Sequence, residues 1–477
     1  MHNGEVSYWW QALGGYPPRR PSLPGPLEAD VCIVGGGYTG LWTAYYLAGQ
    51  RPGARIVVLE AAFAGYGASG RNGGWVTPEL PGSRARYARA AGRSGAAGVR
   101  DLEAALRSTV DEIGRVCQAE SIACDFVKGG RLSVATTPSQ LARLREALSA
   151  ARMRGEGDDI YQFLTRDETR ERVNLAGALG GLYAPASARI QPAALAAGLA
   201  AAAERRGVEI YEATPVSRID PASRPGAVAR TPFGDVRARS VLRCTEGYTA
   251  ALPGLRRALL PMNSHMVVTE PLTPAAWQEI GWSGCETLAD EAHAYVYAQR
   301  TADGRIALGG RGLPYRFASA TDHLGVTDAA TIAALTGVLR RMFPAAADAG
   351  IGHAWCGVLG VPRDWCASVT YQPASGLGWA GGYTGHGVAA ANLAGRTLAD
   401  LVTGEKTGLT ALPWVGHRGR AWEPEPARWA GVHGLYALYR LADRLESGDP
   451  GTGPADSGAR LGAALGRVGD LLSGIPH

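Results

Sequence analysis

Ala29-Asp-Val-Cys-Ile-Val34 runs without a break into Gly35-Gly-Gly-Tyr-Thr-Gly40, and Arg55-Ile-Val-Val-Leu-Glu60 follows after one helix's length of chain. The first and last segments have the apolar, β-branched texture of short buried strands. Between them, Leu41, Tyr45 and Ala48 keep helical spacing as far as Gly49, a suitable stop. The order is therefore strand, Gly-rich turn, helix, strand, acid. Gly35 permits the tight turn, Gly37 lets a pyrophosphate approach the backbone, and Gly40 lets the helix pack closely on the strand. Tyr38 and Thr39 stand at the helix start, where unpaired N–H groups and the positive dipole end favour phosphate. Glu60, 20 residues after Gly40, is placed to accept hydrogen bonds from a ribose. This unit binds a dinucleotide, and by itself does not distinguish NAD from FAD.

Outward from this unit, 477 residues exceed what one core organises, so two domains are expected. The net charge of +5 is small and scattered, which argues against nucleic acid or an anionic membrane as partner. Lys occurs only at 128 and 406, which removes most Lys-based chemistry. The seven Cys form no CxxC pair and no Cys/His cluster with zinc spacing, so no metal is expected. The start MHNGEVSYWWQALGG lacks a secretion signal, and no apolar run spans a bilayer, so the expected compartment is the cytoplasm. Residues 1–28 read as an arm; the Pro density of PPRRPSLPGPLE excludes a helix or central strand.

The segment after Glu60 makes the choice of dinucleotide. Ala61 leads to Gly67-Ala-Ser-Gly-Arg-Asn-Gly-Gly74. This stretch resembles the FAD-dependent D-amino-acid oxidase superfamily, and within it the glycine oxidase, sarcosine oxidase and gamma-glutamylputrescine oxidoreductase branch. There a G-A-S-x-R-N-G-G stretch runs alongside the flavin, which implies that Gly67, Ala68, Ser69, Arg71, Asn72 and Gly73 contact FAD, with Ala61 beside the ribose acid. Glu212-Ala-Thr-Pro-Val216 resembles the segment whose valine meets the adenine through its backbone. Val241-Leu-Arg-Cys-Thr-Glu-Gly-Tyr248 resembles the "ATNGYT" element crossing the ADP, which implicates Thr245 and Gly247. Gly378-Trp-Ala-Gly-Gly-Tyr-Thr-Gly-His-Gly387 resembles the last flavin loop, with Gly382, Thr384, Gly385, His386 and Gly387 as expected contacts. A helix starting near Val388 would stabilise negative charge on the reduced flavin.

The resemblance implies an α/β fold: a Rossmann-type FAD-binding domain (29–90, 188–255 and 356–412) interleaved with an α+β antiparallel-sheet substrate domain (91–187 and 256–355), then a C-terminal extension (413–477). Asp101 to Cys117 and Pro138 to Met153 read as helices. His265–Thr269, Ala294–Ala298 and Arg305–Gly310 read as strands. Gly448 to Gly458 reads as a flexible linker before an amphipathic Leu461–Leu472 segment.

The activity so implied is oxidation of a C–N bond in an amine or amino acid by hydride transfer to flavin N5, with oxygen as acceptor. A dehydrogenase feeding a quinone or carrier protein, a flavin monooxygenase and a non-catalytic flavin protein stay open. Oligomeric state is not legible. His265 and Arg311 are the candidate catalytic residues, weighed against a sheet histidine and a structural ion pair. Trp75, Tyr295, Tyr297 and Trp355 are candidate pocket walls. Trp355-Cys356-Gly357 resembles the segment of sarcosine oxidases that carries a flavin-linking Cys, so Cys356 is a candidate covalent link with Gly357 a cofactor contact. Two departures stand out: Ala307 occupies the place of the sarcosine oxidases' oxygen-activating Lys, and Val388-Ala-Ala-Ala occupies that of their carboxylate-binding Lys. A larger amine, or an amino acid held by Arg, is expected instead.

Overall fold

The computed structural model describes residues 1–92, 95–221, 226–321, 324–447 and 455–474, the first three of the last segment by backbone alone. Its first sheet is built on the Gly-rich unit. Strands Leu377–Gly381, Gly234–Arg243, Leu27–Val34, Ile56–Leu59 and Glu209–Tyr211 lie side by side and parallel. They are buried on both faces, as parallel strands require: Ile33, Val57 and Val58 are fully covered. Arg218–Pro221 and Ala227–Thr231 add an antiparallel ribbon at one edge, and Ser368–Gln372 pairs antiparallel with Leu377–Gly381. Helices Tyr38–Gln50, Pro192–Arg205 and Gly387–Thr403 cover one face.

The second sheet has nine strands. Ile351–Val361, Leu260–Thr269, Ile306–Gly310, Tyr297–Arg300 and Thr287–Asp290 form its antiparallel half, and Arg131–Ala135, Gly180–Ala184 and Gln162–Leu164 extend it. Helix Ala329–Met342 packs Leu335, Leu339 and Met342 on one face. The opposite face looks toward the first sheet.

Several elements depart from expectation. The helix Gly95–Ala119 buries Val99, Leu102, Leu106, Val110 and Ile113 in the core of the Gly-rich unit, not against the second sheet. Strand Ile351–Val361 runs unbroken across residue 356, so a boundary there would cut a ladder. Of the 294–298 run, only the part from Tyr297 enters a strand. The arm is not wholly irregular: His2–Asn3 pairs with Ile351–Val361, and Tyr8–Ala12 is a short helix ahead of the prolines. Helix Ala427–Glu446 was not anticipated, although Val432, Tyr436 and Tyr439 are buried at helical spacing. Of the expected linker 448–458, residues 448–454 lie outside the described residues and the rest begins helix Ala455–Ser473. Among the described residues no helix is long and apolar enough to cross a membrane.

Candidate functional site

One cavity of about 1260 Å³ runs from the Gly-rich turn to the face of the nine-stranded sheet. Small-molecule pockets usually span about 300–1,000 Å³. This one has room for a dinucleotide and a second small molecule.

At the dinucleotide end, Gly35, Gly37, Tyr38, Thr39, Glu60 and Ala61 line the wall. Gly35 has φ 109°, and a Cβ there would stand 2.6 Å from the Cys244 carbonyl oxygen, so only glycine fits. Gly40 does not line the cavity. A Cβ on it would sit 2.0 Å from the Gly35 carbonyl, which is the close helix–strand packing expected of it. The helix begins at Tyr38 with Gly37 as N-cap and no side-chain cap, leaving its positive end to the cavity. Glu60 accepts from the N–H of Gly36 at 2.7 Å and of Ala62 at 2.9 Å. Burial pushes its carboxyl pKa up, and those donors oppose the shift. Pro215, Val216 and Thr245 line the same end, with Thr245 Oγ1 2.8 Å from Thr249 Oγ1.

The middle of the cavity follows the 67–73 segment. Gly67, Ala68, Ser69, Arg71, Asn72 and Gly73 all line it. Ser69 Oγ accepts from the Tyr38 N–H at 2.8 Å, tying this segment to the helix start. Arg71 is buried, donating from Nε to the Tyr66 carbonyl at 2.9 Å and from Nη1 to the Cys356 carbonyl at 3.2 Å. Asn72 folds back on Ala68 and Ser69 through its Nδ2. Gly357, Gly385, His386, Gly387 and Val388 complete the wall, so a second helix N-terminus, at Gly387, meets the cavity.

Three expected contacts stand behind that wall. Gly247 is packed against strand Ile351–Val361, where a Cβ would lie 2.9 Å from Val358. Gly382 backs onto Pro362 at 2.5 Å by the same measure. Thr384 is buried in a left-handed turn, φ 56°. Their work is to shape the loops. Glu246, which was not anticipated, does the same with its side chain: it accepts from the N–H of Gly382 at 2.8 Å, of Tyr383 at 3.0 Å, and of Gly360. The position was legible only as a turn.

At the substrate-sheet end, strand alternation decides who faces the cavity. Ser264 and Gly357 are ladder partners and line it; their neighbours His265 and Cys356 are partners too and face the other way. His265 is buried with Nδ1 3.3 Å from Thr327 Oγ1 and Nε2 3.3 Å from the Leu313 carbonyl. The structure thus corrects the candidate catalytic His265 to a core histidine. Cys356 Sγ lies 4.0 Å from His265 Nε2 and off the cavity wall, which removes the geometry for a flavin link. Trp355 is also core: fully buried, it donates to the Arg71 carbonyl at 2.8 Å and packs on Tyr8 and Trp9.

Trp75, Tyr295, Tyr297 and Arg311 do line the cavity. Tyr297 lies at the junction of the two sheets. Its hydroxyl is 2.7 Å from Ser264 Oγ, and a Cβ on Gly73 or Gly309 would strike its ring. Burial pushes its phenol up to about 12, so it stays protonated. Trp75 packs edge-on to it and donates to the Ala298 carbonyl. The guanidinium of Arg311 sits 5.9 Å from the Tyr295 ring centre.

Polar residues missed in the sequence complete this end. Glu79 pairs with His386 Nδ1 at 2.7 Å and with Arg131. Burial, reinforced by Arg131 and Arg311, pushes the His386 pKa down, against the pull of the adjacent Glu79 carboxylate. Asp290 and Glu291 also line the cavity, and burial raises both, Asp290 to about 7. They come from dispersed elements, and only the fold brings them together. No residue lining the cavity is a lysine. Ala307 is fully buried in an apolar cluster with Met266, Val268 and Trp355.

Comparisons with known proteins agree with this architecture. The family described as FAD dependent oxidoreductase matches residues 30–401. The gamma-glutamylputrescine oxidoreductase of Escherichia coli is 30% identical over 92% of this chain and 98% of its own length. A probable oxidoreductase OrdL of Rhizobium meliloti is 31% identical over 85% of this chain and 90% of its own. The crystal structure of glycine oxidase from Geobacillus kaustophilus superposes with a TM-score of 0.70 at 23% identity, covering 83% of this chain and all of that one. The Gly-rich turn, the acid after it and the two helix starts on one cavity fit the cofactor of that family, and the chain belongs to it: this is an FAD-dependent oxidoreductase.

Proposed function

We propose that this enzyme oxidises a C–N bond of an amine or amino acid, with a hydride passing to flavin N5 and molecular oxygen as the final acceptor. The observation that carries the reading is the single cavity joining the dinucleotide turn to Arg311, Tyr295 and Tyr297. When bound, FAD supplies the hydride acceptor. The chain supplies the rest. Gly35, Gly37, Tyr38 and Thr39 would hold the pyrophosphate and Glu60 the ribose, with Val216 at the adenine end. Ser69, Arg71, Asn72, Gly357 and the 385–388 turn would line the flavin. Arg311 offers a fixed cation to an anionic substrate group. Burial and the guanidinium charges disfavour an ammonium ion, so the bound amine gives its proton to solvent before it loses a hydride.

Two relatives bear the names of amine substrates, gamma-glutamylputrescine and glycine, which supports the class. The guanidinium of Arg131 and the carboxyls of Glu79, Asp290 and Glu291 favour a substrate with polar groups beyond the reacting amine. Ala307 favours a second reading, in which a carrier replaces oxygen, because no lysine stands at the place where sarcosine oxidases use one.

The test is anaerobic mixing of the holoenzyme with gamma-glutamylputrescine, putrescine, glycine and sarcosine while flavin absorbance is followed. Bleaching by at least one of them is expected, with hydrogen peroxide formed when air is admitted. Bleaching without peroxide selects the carrier; bleaching by NADPH alone, and by no amine, overturns the reading.

A further inference from the structure

The segment between strands Thr287–Asp290 and Tyr297–Arg300 has no ladder partner of its own, yet it carries Glu291, Ala292 and Tyr295 into the cavity. Its backbone donors must be satisfied elsewhere. One is met locally: Asp290 Oδ1 accepts from the Val296 N–H at 2.8 Å. Two more are met by helix Ala427–Glu446. Asp443 takes the His293 N–H on Oδ1 at 2.8 Å and the Ala294 N–H on Oδ2 at 3.0 Å.

The grip is wider than that one carboxylate. Glu446 lies 3.1 Å from His293 Nε2 and receives Arg143, whose other nitrogens donate to the Glu291 carbonyl. The His293 ring stacks on Tyr439 with planes 1° apart. The same helix also holds the segment after strand Ile306–Gly310. Arg440 donates to the Gly312 carbonyl, and His433 Nε2 stands 2.8 Å from the Tyr315 carbonyl. Tyr436 stands beside Arg311 and raises its pKa, and its hydroxyl donates to Met262 Sδ at 3.5 Å. Two of the segments that bring side chains to the substrate end of the cavity are therefore tied to one helix, which lies beyond the 30–401 family match.

We propose that helix Ala427–Glu446 is a working part of the substrate site, with Asp443 and Tyr436 as positioning residues that set where Tyr295 and Arg311 stand in the cavity. This rests on the reading of that cavity as the amine site. A carboxylate accepting two backbone N–H groups fixes a loop more firmly than neutral bonds do. A loop so fixed need not be ordered again each time substrate binds. Loosening it weakens substrate binding and leaves the flavin environment alone, so the effect falls on KM rather than on kcat.

The experiment compares wild-type holoenzyme with Asp443→Asn, Tyr436→Phe and Glu423→Ala. The last loses the carboxylate that receives Arg363 Nε at 3.0 Å and loosens the C-terminal extension away from the loop. The probe is whichever of gamma-glutamylputrescine, putrescine, glycine and sarcosine bleaches the flavin best, with hydrogen–deuterium exchange read on peptides covering 291–296. Asp443→Asn is expected to speed exchange there at least tenfold and to raise KM at least tenfold, with limiting flavin reduction within threefold of wild type. Tyr436→Phe is expected to raise KM at least threefold. Glu423→Ala is expected to lower the melting temperature and leave KM unchanged. Faster exchange with unchanged KM overturns the proposal, and so does a KM rise in Glu423→Ala equal to that in Asp443→Asn. If Asp443→Asn yields no holoenzyme, Tyr436→Phe decides: an unchanged KM overturns it. If no amine bleaches the wild-type flavin, the proposed substrate class fails instead, and unchanged exchange in Asp443→Asn then overturns the clamp on its own.

Discussion

Cys356 and His417 are both residues whose surroundings decide what their type leaves open. A thiol near a flavin segment invites a covalent link, but strand alternation turns Cys356 toward His265. FAD is accordingly expected to be held without a bond: acid precipitation should leave the yellow colour in the supernatant, and Cys356→Ala should bind FAD normally. Colour retained in the pellet would contradict this geometry. His417 Nε2 stands 2.7 Å from Asp364 Oδ2. That bond, with the nearby Cys366 thiol, raises its pKa from 6.5 to about 9. A folded-state pKa above the unfolded value stabilises fully below pH 6.5 and loses its effect as pH rises through about 9. Wild type should therefore lose more thermal stability between pH 6.5 and 9 than His417→Gln does. Melting curves across that window check it, and parallel slopes would show the pair to be idle.

At the scale of elements, the last flavin loop depends on an acid in a different segment. Glu246 gathers the N–H groups of Gly360, Gly382 and Tyr383, so it ties the end of one sheet's long strand to the turn that precedes helix Gly387–Thr403. Hydrogen bonds to a charged group contribute about 1.5–3 kcal/mol each. Glu246→Ala removes the common acceptor and frees the turn that lines the cavity at Gly385 to Val388. FAD titration of the apoprotein should give a Kd raised by at least about tenfold, since about 1.4 kcal/mol is one decade, while Glu246→Gln, which keeps an acceptor oxygen, should fall between. The element is also a measure of what could be read in advance. Gly35, Gly37 and Glu60 were legible because their task is local: a turn, a close approach and an acid at a set spacing. Glu246 was not, because its partners lie more than a hundred residues away, and Glu79, Asp290 and Glu291 escaped because only the fold brings their segments to one cavity. His265 was misplaced because a strand in the sequence carries no mark of which face meets the ligand, and Trp355, on the face of Gly357, because Tyr8 and Trp9 of the arm cover it.

Across the whole molecule, the strand–turn–helix–strand unit of the parallel sheet was legible, but the part that the N-terminal arm plays in holding the two sheets together was not. The arm reads as an aromatic, Pro-rich segment of no evident purpose. Folded, it threads between both sheets. Ser7 Oγ donates to the Gly70 carbonyl at 2.6 Å, Trp9 Nε1 donates to the Asn72 carbonyl at 2.8 Å, and Gln191 Nε2 donates to the Trp9 carbonyl at 2.7 Å. On the other side Gly4 donates to the Ala354 carbonyl and Val6 to that of Leu324. Trp9 is buried against Tyr8 and Trp355, so its ring backs the 67–73 segment that lines the cavity. Truncating such a side chain costs about 3–5 kcal/mol. Here the loss lies behind a cofactor wall, so it should appear twice. Trp9→Ala is expected to lower the melting temperature of the apoprotein and, separately, to weaken FAD binding, because Asn72 loses the donor that fixes its carbonyl. Trp9→Phe refills most of the volume but not the hydrogen bond. It should therefore recover most of the apoprotein stability and little of the FAD affinity. Recovery of both in Trp9→Phe would assign the arm to packing alone.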